Sequence, residues 1–334
     1  MKAYVLRRLV SLLLVLLGMT VVTFVISHVI PADPARAAAG MFASAEAVEA
    51  IRQEMGLDRP LYVQYWNYMR SLLHGDLGRS ILTREPVLDD LLRRLPASLE
   101  LAVAGMCISL PLGLLIGVVC SQRPGGLTDV LARGVAVLGV ATPAFWLAQI
   151  MQLVFYSVLG WFPAAGRIAT GCAPPPAVTG LYVVDAALTG NLAALGSALR
   201  HLILPAVTVG LGSAAVIARM TRSSMMEVLK QEFVRTARAK GLAERVVVYR
   251  HALRNALIPV ITVAGMQFSG LIAWLVLVEV IFAWPGLGSY AARSVLALDF
   301  PAIMGFTLLT STIYVVVNLA VDLVYAFIDP RIRY

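Results

Sequence analysis

Six apolar stretches, each about long enough to cross a lipid bilayer as a helix, dominate the sequence. A transmembrane helix needs roughly 20 consecutive, mostly apolar residues. The candidates are Leu9–Ile30, Ala97–Cys120, Gly134–Leu159, Leu202–Met220, Ala256–Ala283 and Ala302–Ile328. The chain of 334 residues is 59% hydrophobic and 14% charged, and a soluble fold of this size cannot hide so much apolar surface. The sequence therefore predicts an all-α integral membrane protein with about six transmembrane helices.

Prolines within these stretches can interrupt the helices, and glycines can let two helices pack closely. Pro111, Pro143 and Pro205 lie within or near the ends of these stretches. Membrane helices tolerate a proline when neighbouring groups form hydrogen bonds with the backbone groups that the proline leaves unpaired. Small residues let two helices approach closely, and the candidates are Gly113, Gly117, Gly210 and Gly212.

The first apolar stretch follows Lys2, Arg7 and Arg8 and admits two interpretations. A secretory signal peptide is one, because Ala37-Ala38-Ala39 offers a small-residue cleavage pattern. The apolar part of a signal peptide, however, runs about 7–15 residues, and this stretch is longer. We therefore predict a retained transmembrane helix over residues 1–30.

The distribution of Lys and Arg predicts the orientation in the membrane. If the N-terminus is cytoplasmic, 16 of the 27 Lys and Arg residues lie in cytoplasmic segments, which are 1–8, 121–133, 219–254 and 329–334. Cytoplasmic loops of membrane proteins carry this excess of positive charge. Both termini are therefore predicted to be cytoplasmic. The net charge of +8 follows from this asymmetry and indicates no nucleic acid partner.

The soluble segments divide the chain into parts. We expect helices from Ser44 and after Pro60 in the external segment, and a short helix at Leu181–Leu188 in the second external loop. The predicted parts are the helix 1–30, the external segment 31–96, a five-helix core 97–328 with the external loop 160–200 and the cytoplasmic loop 221–255, and the tail 329–334.

The cytoplasmic loop 221–255 is strongly basic and has a helix–glycine–helix plan. The first helix carries the apolar residues Val234 and Ala237, and Gly241 follows as a natural C-terminal stop. A basic loop of this size can bind lipid headgroups. A short helix projecting from the membrane also suits docking into a groove on a soluble partner, and the helix–glycine–helix plan favours that hypothesis.

Residues for catalysis or metal binding do not form a convincing set. The sequence contains no glycine-rich phosphate loop of the Gly-x-x-x-x-Gly-Lys type. The histidines are scattered, at His28, His74, His201 and His251, and the cysteines are Cys107, Cys120 and Cys172. We predict no catalytic residues, no disulfide and no metal site.

The loop 221–255 resembles the coupling loop of binding-protein-dependent ABC importer permeases of the dipeptide/oligopeptide/nickel branch. In the broad family the loop reads Glu-Ala-Ala, three residues, Gly, nine residues, Ile-x-Leu-Pro. Here Arg235-Thr236-Ala237 fills the triplet and Gly241 keeps its spacing. His251 and Leu253 stand where Ile and Leu are expected, whereas Arg254 replaces the proline.

Other family-like pieces extend the resemblance over nearly the whole chain. They are Arg7-Arg8-Leu9, Gly56-Leu-Asp-Arg-Pro60, Gly75-Asp-Leu-Gly78, Leu95-Pro96-Ala-Ser-Leu-Glu100-Leu, Pro143-Ala-Phe-Trp146-Leu, Gly160-Trp-Phe-Pro163, Met220-Thr-Arg222-Ser-Ser224-Met, Phe282-Ala-Trp284-Pro285-Gly286-Leu-Gly288 and Asp329-Pro330-Arg331. The long second external loop, with Thr179-Gly180-Leu and Val184-Asp185-Ala, is more similar to the dipeptide permeases than to the nickel permeases.

The resemblance implies a type I ABC importer permease fold in the bacterial inner membrane. It also implies a second homologous permease, two cytoplasmic ATPase subunits that bind ATP and Mg, and an external solute-binding protein that delivers dipeptides or short oligopeptides. No cofactor is expected in this chain itself. The implied ATPase-coupling residues are Glu232, Arg235, Thr236, Ala237, Gly241, His251 and Leu253. The same architecture could instead import nickel chelates, glutathione or another small solute.

Polar side chains within the predicted spans are the remaining candidates for function. They are Gln149, Gln152, Glu279, Asn318 and Asp322. Acids inside a membrane are costly and are functional candidates by default, although each also fits a structural pairing inside the bundle. Glu279 and Asp322 would suit an ion-coupled secondary transporter. That class predicts inverted repeats with broken helices, and the sequence shows no such repeat.

Overall fold

The computed structural model describes residues 2–29, 34–40, 43–54 and 56–328. Helices form the regular structure of these residues, and their one β-type pairing is an isolated bridge between Arg79 and Pro86. The all-α prediction is confirmed.

Five helices occupy the first part of the chain. They are α1 (Lys2–Val29), α2 (Pro34–Ala39), α3 (Ala45–Glu54), α4 (Leu61–Leu73) and α5 (Val87–Gln122). The predicted cap of α3 is present, because Ser44 Oγ accepts a hydrogen bond of 3.2 Å from the Ala47 backbone N–H. The helix predicted after Pro60 is α4.

Nine further helices follow. They are α6 (Leu127–Ala141), α7 (Ala144–Met151), α8 (Tyr182–Leu188), α9 (Leu192–Val228), α10 (Glu232–Ala239), α11 (Glu244–Val246), α12 (Leu253–Ile281), α13 (Leu287–Leu296) and α14 (Phe300–Ile328). Two π-helical segments, π1 (Gln152–Val158) and π2 (Val247–Ala252), continue α7 and join α11 to α12. The short helix α8 appears where the sequence predicted it. The tail 329–334 lies outside the described residues.

Five helical stretches are long and apolar enough to cross a membrane, and a sixth is present if the bent pair α6 and α7–π1 is one span. This confirms the prediction of about six spans. Helices α5 and α9 are longer than the apolar runs that predicted them, because polar turns continue each helix beyond the apolar part. The cytoplasmic placement of both termini stays a prediction from charge.

Pro143 divides the third predicted span, whereas α5 and α9 continue through Pro111 and Pro205. The axes of the two halves meet at 102°. Thr142 and Pro143 both have extended backbone, with ψ of 121° and 134°. A proline has no N–H and disfavours the helical conformation of the residue before it, which explains the break. The Thr142 hydroxyl donates to the Leu138 carbonyl at 2.6 Å and satisfies part of the helix end.

The chain forms two compact units. The first comprises the residues up to Ser98 together with Pro285–Val315. Its core is a cluster of five buried side chains, Val87, Leu91, Leu287, Tyr290 and Ala302. Gly305 allows α14 to approach α5 closely, since a Cβ added there would lie 2.5 Å from Val87 Cγ1.

The second unit comprises Leu99–Trp284 together with the chain from Val316 onward. Helices α5 and α9 cross here in close contact. A Cβ added at Gly113 would lie 2.7 Å from Ile217 Cβ, and one added at Gly210 would lie 2.9 Å from the Gly105 carbonyl oxygen. The predicted close approach of helices is therefore confirmed at Gly113 and Gly210. It is wrong at Gly212, where an added Cβ would have no neighbour within 4 Å.

Candidate functional site

The helix α10 ends in a backbone motif that requires Gly241. The Gly241 N–H donates to the Arg238 carbonyl at 2.9 Å, and the Leu242 N–H donates to the Ala237 carbonyl at 3.4 Å. This pair of hydrogen bonds is the Schellman arrangement, which places the residue after the helix in the left-handed region. Gly241 has a φ of +74°, and a Cβ there would meet no atom within 4 Å. The backbone conformation, and not a lack of space, therefore favours glycine.

The two faces of α10 have different environments. Val234 and Ala237 are buried and form a small cluster with Val247 of π2, against which Leu229 packs. The residues exposed along the rest of the helix are Glu232, Phe233, Arg235, Thr236, Arg238 and Ala239. Hence the buried contacts of α10 lie along one narrow apolar edge, and the other sides of the helix are exposed. We call these exposed residues of α10 the outer face.

Two exposed ion pairs involve residues of α10. Arg235 Nη1 lies 2.8 Å from Glu232 Oε1, and both side chains are more than 70% exposed. Arg238 Nη2 lies 2.7 Å from Glu244 Oε1 and so connects α10 to α11. Exposed ion pairs contribute at most about 1 kcal/mol to stability. The outer face therefore offers charges of both signs that a partner can reorganise at little cost.

The segment π2 anchors the loop to the membrane-spanning helices. Val248 and Ala252 belong to a buried cluster with Val118 of α5 and Met225 of α9. Leu253, the first residue of α12, packs against the same cluster. His251 lies within π2 and is partly buried, and its carbonyl accepts a hydrogen bond of 2.8 Å from Asn255. All seven coupling-loop residues named from the sequence therefore lie in one continuous segment, from α10 to the start of α12.

The two glutamines of the third span have different positions. Gln149 lies on α7 and is exposed. The Gln152 amide donates to the Ala164 carbonyl at 2.8 Å and to the Ile281 carbonyl at 3.0 Å. Gln152 thus ties π1 to the end of α12.

The remaining candidate polar residues of the spans are Glu279 on α12 and Asn318 and Asp322 on α14. Glu279 lies near the end of α12, and its side chain is fully buried. Asn318 of α14 accepts a hydrogen bond of 3.3 Å from the Ser269 hydroxyl of α12. Asp322 lies on α14, and its side chain falls outside the described residues.

The ion pair between Asp129 and Arg222 was not predicted from the sequence. Asp129 of α6 accepts hydrogen bonds from Arg222 of α9 at 2.6 and 2.9 Å, and from the Gly125 N–H at 2.9 Å. The pair joins the start of α6 to α9. The available signal was that Arg222 belongs to a family-like piece, but 93 residues separate it from its partner.

A second polar network organises the loop between π1 and α9. Glu100 accepts two hydrogen bonds from Arg167, at 2.7 and 2.8 Å, and one from the Val183 N–H at 2.8 Å. Arg167 donates in turn to the Gly180 carbonyl at 2.7 Å and lies over the Tyr182 ring at 3.8 Å. Both charged side chains are buried. The pair therefore pins this loop to α5.

Asp185 completes this network from α8. Its carboxylate accepts hydrogen bonds from the backbone N–H groups of Val178, Thr179 and Gly180, at 2.8 to 3.2 Å, and from the Thr179 hydroxyl. Burial raises the pKa of Asp185, but these hydrogen bonds outweigh burial and hold the pKa below its ordinary value. We call Glu100, Arg167 and Asp185 the loop clasp.

Comparison with known proteins assigns the chain to a family. Residues 109–334 match the family described as binding-protein-dependent transport system inner membrane component, and residues 1–102 match the N-terminal family of the same components. The chain belongs to this family. It is a multi-pass inner-membrane component of an ABC importer, a class that works with an ATPase and a solute-binding protein.

Several curated relatives are similar over nearly their whole length. The probable D,D-dipeptide transport system permease protein DdpB of Escherichia coli is 48% identical over 96% of this chain and 95% of its own. The dipeptide transport system permease protein DppB of Alkalihalophilus pseudofirmus is 43% identical over 100% of both chains. The di/tripeptide permease DppB of Pseudomonas aeruginosa is 42% identical over 100% of this chain and 99% of its own. Among solved structures, the inward-facing methionine transporter MetNI has a TM-score of 0.48 at 16% identity and covers 73% of this chain and 96% of its own.

Proposed function

We propose that this permease, together with a second homologous permease, forms the translocation pathway for dipeptides or short oligopeptides. A solute-binding protein delivers the peptide from the outer side. The names of relatives at 40–48% identity support this substrate class, since they are permeases for D,D-dipeptides, dipeptides or di/tripeptides.

The energy for transport comes from two partner ATPase subunits, which bind ATP and Mg. The present chain carries no glycine-rich phosphate loop, so it is a transport subunit and not an enzyme. This division requires a physical contact through which ATP-driven closure of the ATPase pair moves the permease.

The outer face of α10 supplies that contact, and its geometry is the observation that carries the proposal. A helix of eight residues, about 12 Å long, stands on a narrow apolar edge formed by Val234 and Ala237. A short helix presented in this way fits a groove on a soluble partner. Force on α10 is transmitted through Val247 into π2 and from there into α12.

The polar residues of the spans have distinct proposed roles. Gln149 is exposed on α7 and is the best placed of them to meet a solute in the pathway. Gln152 and Asn318 hold helices together through the hydrogen bonds described above. Glu279 and Asp322 stay candidates for the pathway.

The substrate class is tested by uptake in cells that lack the chain and carry it again on a plasmid. Labelled dipeptide, tripeptide, glutathione and nickel chelate are offered in turn. Restored uptake of the dipeptide, with competition by unlabelled di- and tripeptides, is the expected result. Restored uptake of nickel chelate or glutathione alone would overturn the peptide assignment while leaving the importer class intact.

A further inference from the structure

A groove lies between α5, α6 and α9, and none of its lining residues belongs to α10. Its volume is about 450 Å³, within the range of ligand pockets in proteins. Six small or aliphatic side chains form much of its wall: Ile116, Ala132, Ala136, Val137, Ala215 and Ala218. The rest of the lining consists of Gly117, Cys120, Ala141 and three arginines, Arg133, Arg219 and Arg222.

Polarity changes along the length of this groove. On α9 the lining runs from Ala215 to Arg222, a distance of about 10 Å along the helix axis. On α6 the order is opposite, from Arg133 to Ala141, because the two helices run in opposite directions. The arginines therefore gather at the end next to the turn 123–126, and the small apolar residues continue from there into the span.

The charged end of the groove is strongly positive. No acidic side chain lines the groove in the part of the chain that the structure describes. Asp129 supplies a carboxylate near this end of the groove, and its Oδ1 lies 2.6 Å from Arg222 Nε. Arg133 reaches the same carboxylate at 3.7 Å and is 54% exposed, and Arg219 is exposed. Two of the three guanidinium groups therefore contact this carboxylate, and three positive charges against one negative charge leave a net charge of two for a ligand.

We propose that this groove binds an anionic phospholipid of the leaflet in which both termini are predicted to lie. The headgroup phosphate meets Arg133 and Arg219, and one acyl chain lies along the apolar wall. Guanidinium groups suit phosphate because they are planar forks of donors that stay charged. Basic pockets between membrane helices on the cytoplasmic side bind anionic lipid headgroups. The segments around the groove, 121–133 and 219–254, are the ones whose Lys and Arg content predicts the cytoplasmic side.

The graded lining favours a lipid over a free anion. A free phosphate would use the arginines and leave the apolar wall without a ligand. A phospholipid matches both parts at once, with its charge at the membrane surface and its chain in the span. The apolar wall then contributes affinity through chain burial, and the arginines select the headgroup.

The test is lipid retention by the importer, purified with its partner subunits and examined by native mass spectrometry. The complex is exposed to phosphatidylglycerol, to phosphatidylcholine with the same chains, or to glycerol 3-phosphate, which has the phosphate without chains. Arg219→Gln removes a guanidinium from the groove, and Ala136→Trp fills the apolar wall. Arg245→Gln removes an exposed arginine of the loop 221–255 that does not line the groove and serves as the matched control.

The wild-type complex is expected to retain phosphatidylglycerol in preference to phosphatidylcholine, and glycerol 3-phosphate is expected not to displace it. Arg219→Gln should weaken phosphatidylglycerol retention about fivefold, the effect of one basic side chain at an anionic membrane surface, and Ala136→Trp should weaken retention of both lipids. Arg245→Gln should change nothing. Equal retention of the two lipids by the wild type overturns the proposal, as does displacement by glycerol 3-phosphate. Unchanged retention in both groove variants, which is the result if the second permease covers the groove, overturns it too.

Discussion

At the residue scale, α10 and its C-terminal turn depend on two small residues, Ala237 and Gly241, for different reasons. Gly241 is needed for its backbone conformation at a φ of +74°, in open surroundings. Ala237 is needed for its size, because it is 7% exposed and packs with Val247. Ala237 therefore faces its own chain, and the proposed contact for the partner is the outer face instead.

Substitutions at Gly241 should act through the backbone and not through bulk. Left-handed backbone costs an ordinary residue about 1–2 kcal/mol, whereas Asn tolerates it better. We expect Gly241→Val to fray the end of α10 and to reduce uptake strongly, and Gly241→Asn to retain most of it. The measurement is dipeptide uptake normalised to the amount of protein in the membrane. Equal loss in both variants would show that side-chain volume decides, contrary to the geometry.

Phe233 is the aromatic residue of the outer face, and it is 38% exposed. Aromatic side chains often dominate interface energies, and truncating one costs about 2 kcal/mol, or roughly thirtyfold in affinity. We expect Phe233→Ala to weaken ATPase binding by about that factor in a pull-down titration. Tyr62→Ala, an exposed aromatic of the predicted external segment, is the matched control. The docking role of the outer face fails if the two variants bind the ATPase equally well.

Residue patterns in the sequence predicted local features well and distant pairs poorly. The stop at Gly241 was predictable because a glycine after a helical pattern has a local cause. The hydrogen-bonded pairs Glu100–Arg167 and Asp129–Arg222 join residues 67 and 93 positions apart. A single sequence gives no distance between such residues, so both pairs required the structure.

At the element scale, we expect the loop clasp to keep the loop between π1 and α9 ordered. Removing one member of a buried ion pair leaves an uncompensated charge and costs about 3–5 kcal/mol. We expect Glu100→Gln to increase hydrogen exchange of residues 164–185 markedly. The double variant Glu100→Gln with Arg167→Met should recover part of the protection, because no buried charge is left over. Unchanged exchange in the single variant would exclude the pinning role.

The same loop should respond to acid through Asp185. The pKa of this carboxyl is lowered in the folded state. The ionised carboxylate therefore stabilises the folded state fully at a pH above the pKa of an Asp in the unfolded chain, which is about 4. That contribution is lost as the pH falls through the lowered folded pKa. Limited proteolysis of the loop should therefore be constant from pH 7 to pH 5 and should increase only below about pH 4. Asp185→Asn should abolish this acid step, and a step that persists in the variant would assign it to another group.

The elements themselves were largely predictable, and their interruptions were not. The length of the apolar runs predicted the membrane spans, because a helix must reach a minimum length to cross the bilayer. The chain breaks at Pro143 but continues as helix through Pro111 and Pro205, although all three prolines lie in apolar surroundings. The outcome depends on which neighbouring groups satisfy the freed carbonyls, and that information is tertiary. The π-helical segments π1 and π2 were not predicted from the sequence.

At the scale of the whole molecule, the family assignment and the fold both direct attention to α10. The chain supplies membrane-spanning helices, a polar clasp on one loop and a short helix on another. It belongs to a family of inner-membrane importer components, and the proposed contact to the ATPase is the outer face of α10. Transport by this chain should therefore need ATP hydrolysis by its partners and should fail when α10 is undocked from the chain.

The most direct test is uptake into proteoliposomes that contain the permease pair and the ATPase subunits, with the solute-binding protein and labelled dipeptide outside. ATP trapped inside should drive dipeptide accumulation, and a proton gradient without ATP should drive none. Ala237→Asp, which places a charge against Val247, should abolish accumulation while the complex still inserts. Accumulation driven by the proton gradient in vesicles without ATPase subunits would contradict the assignment of this chain as an ATP-driven peptide importer subunit.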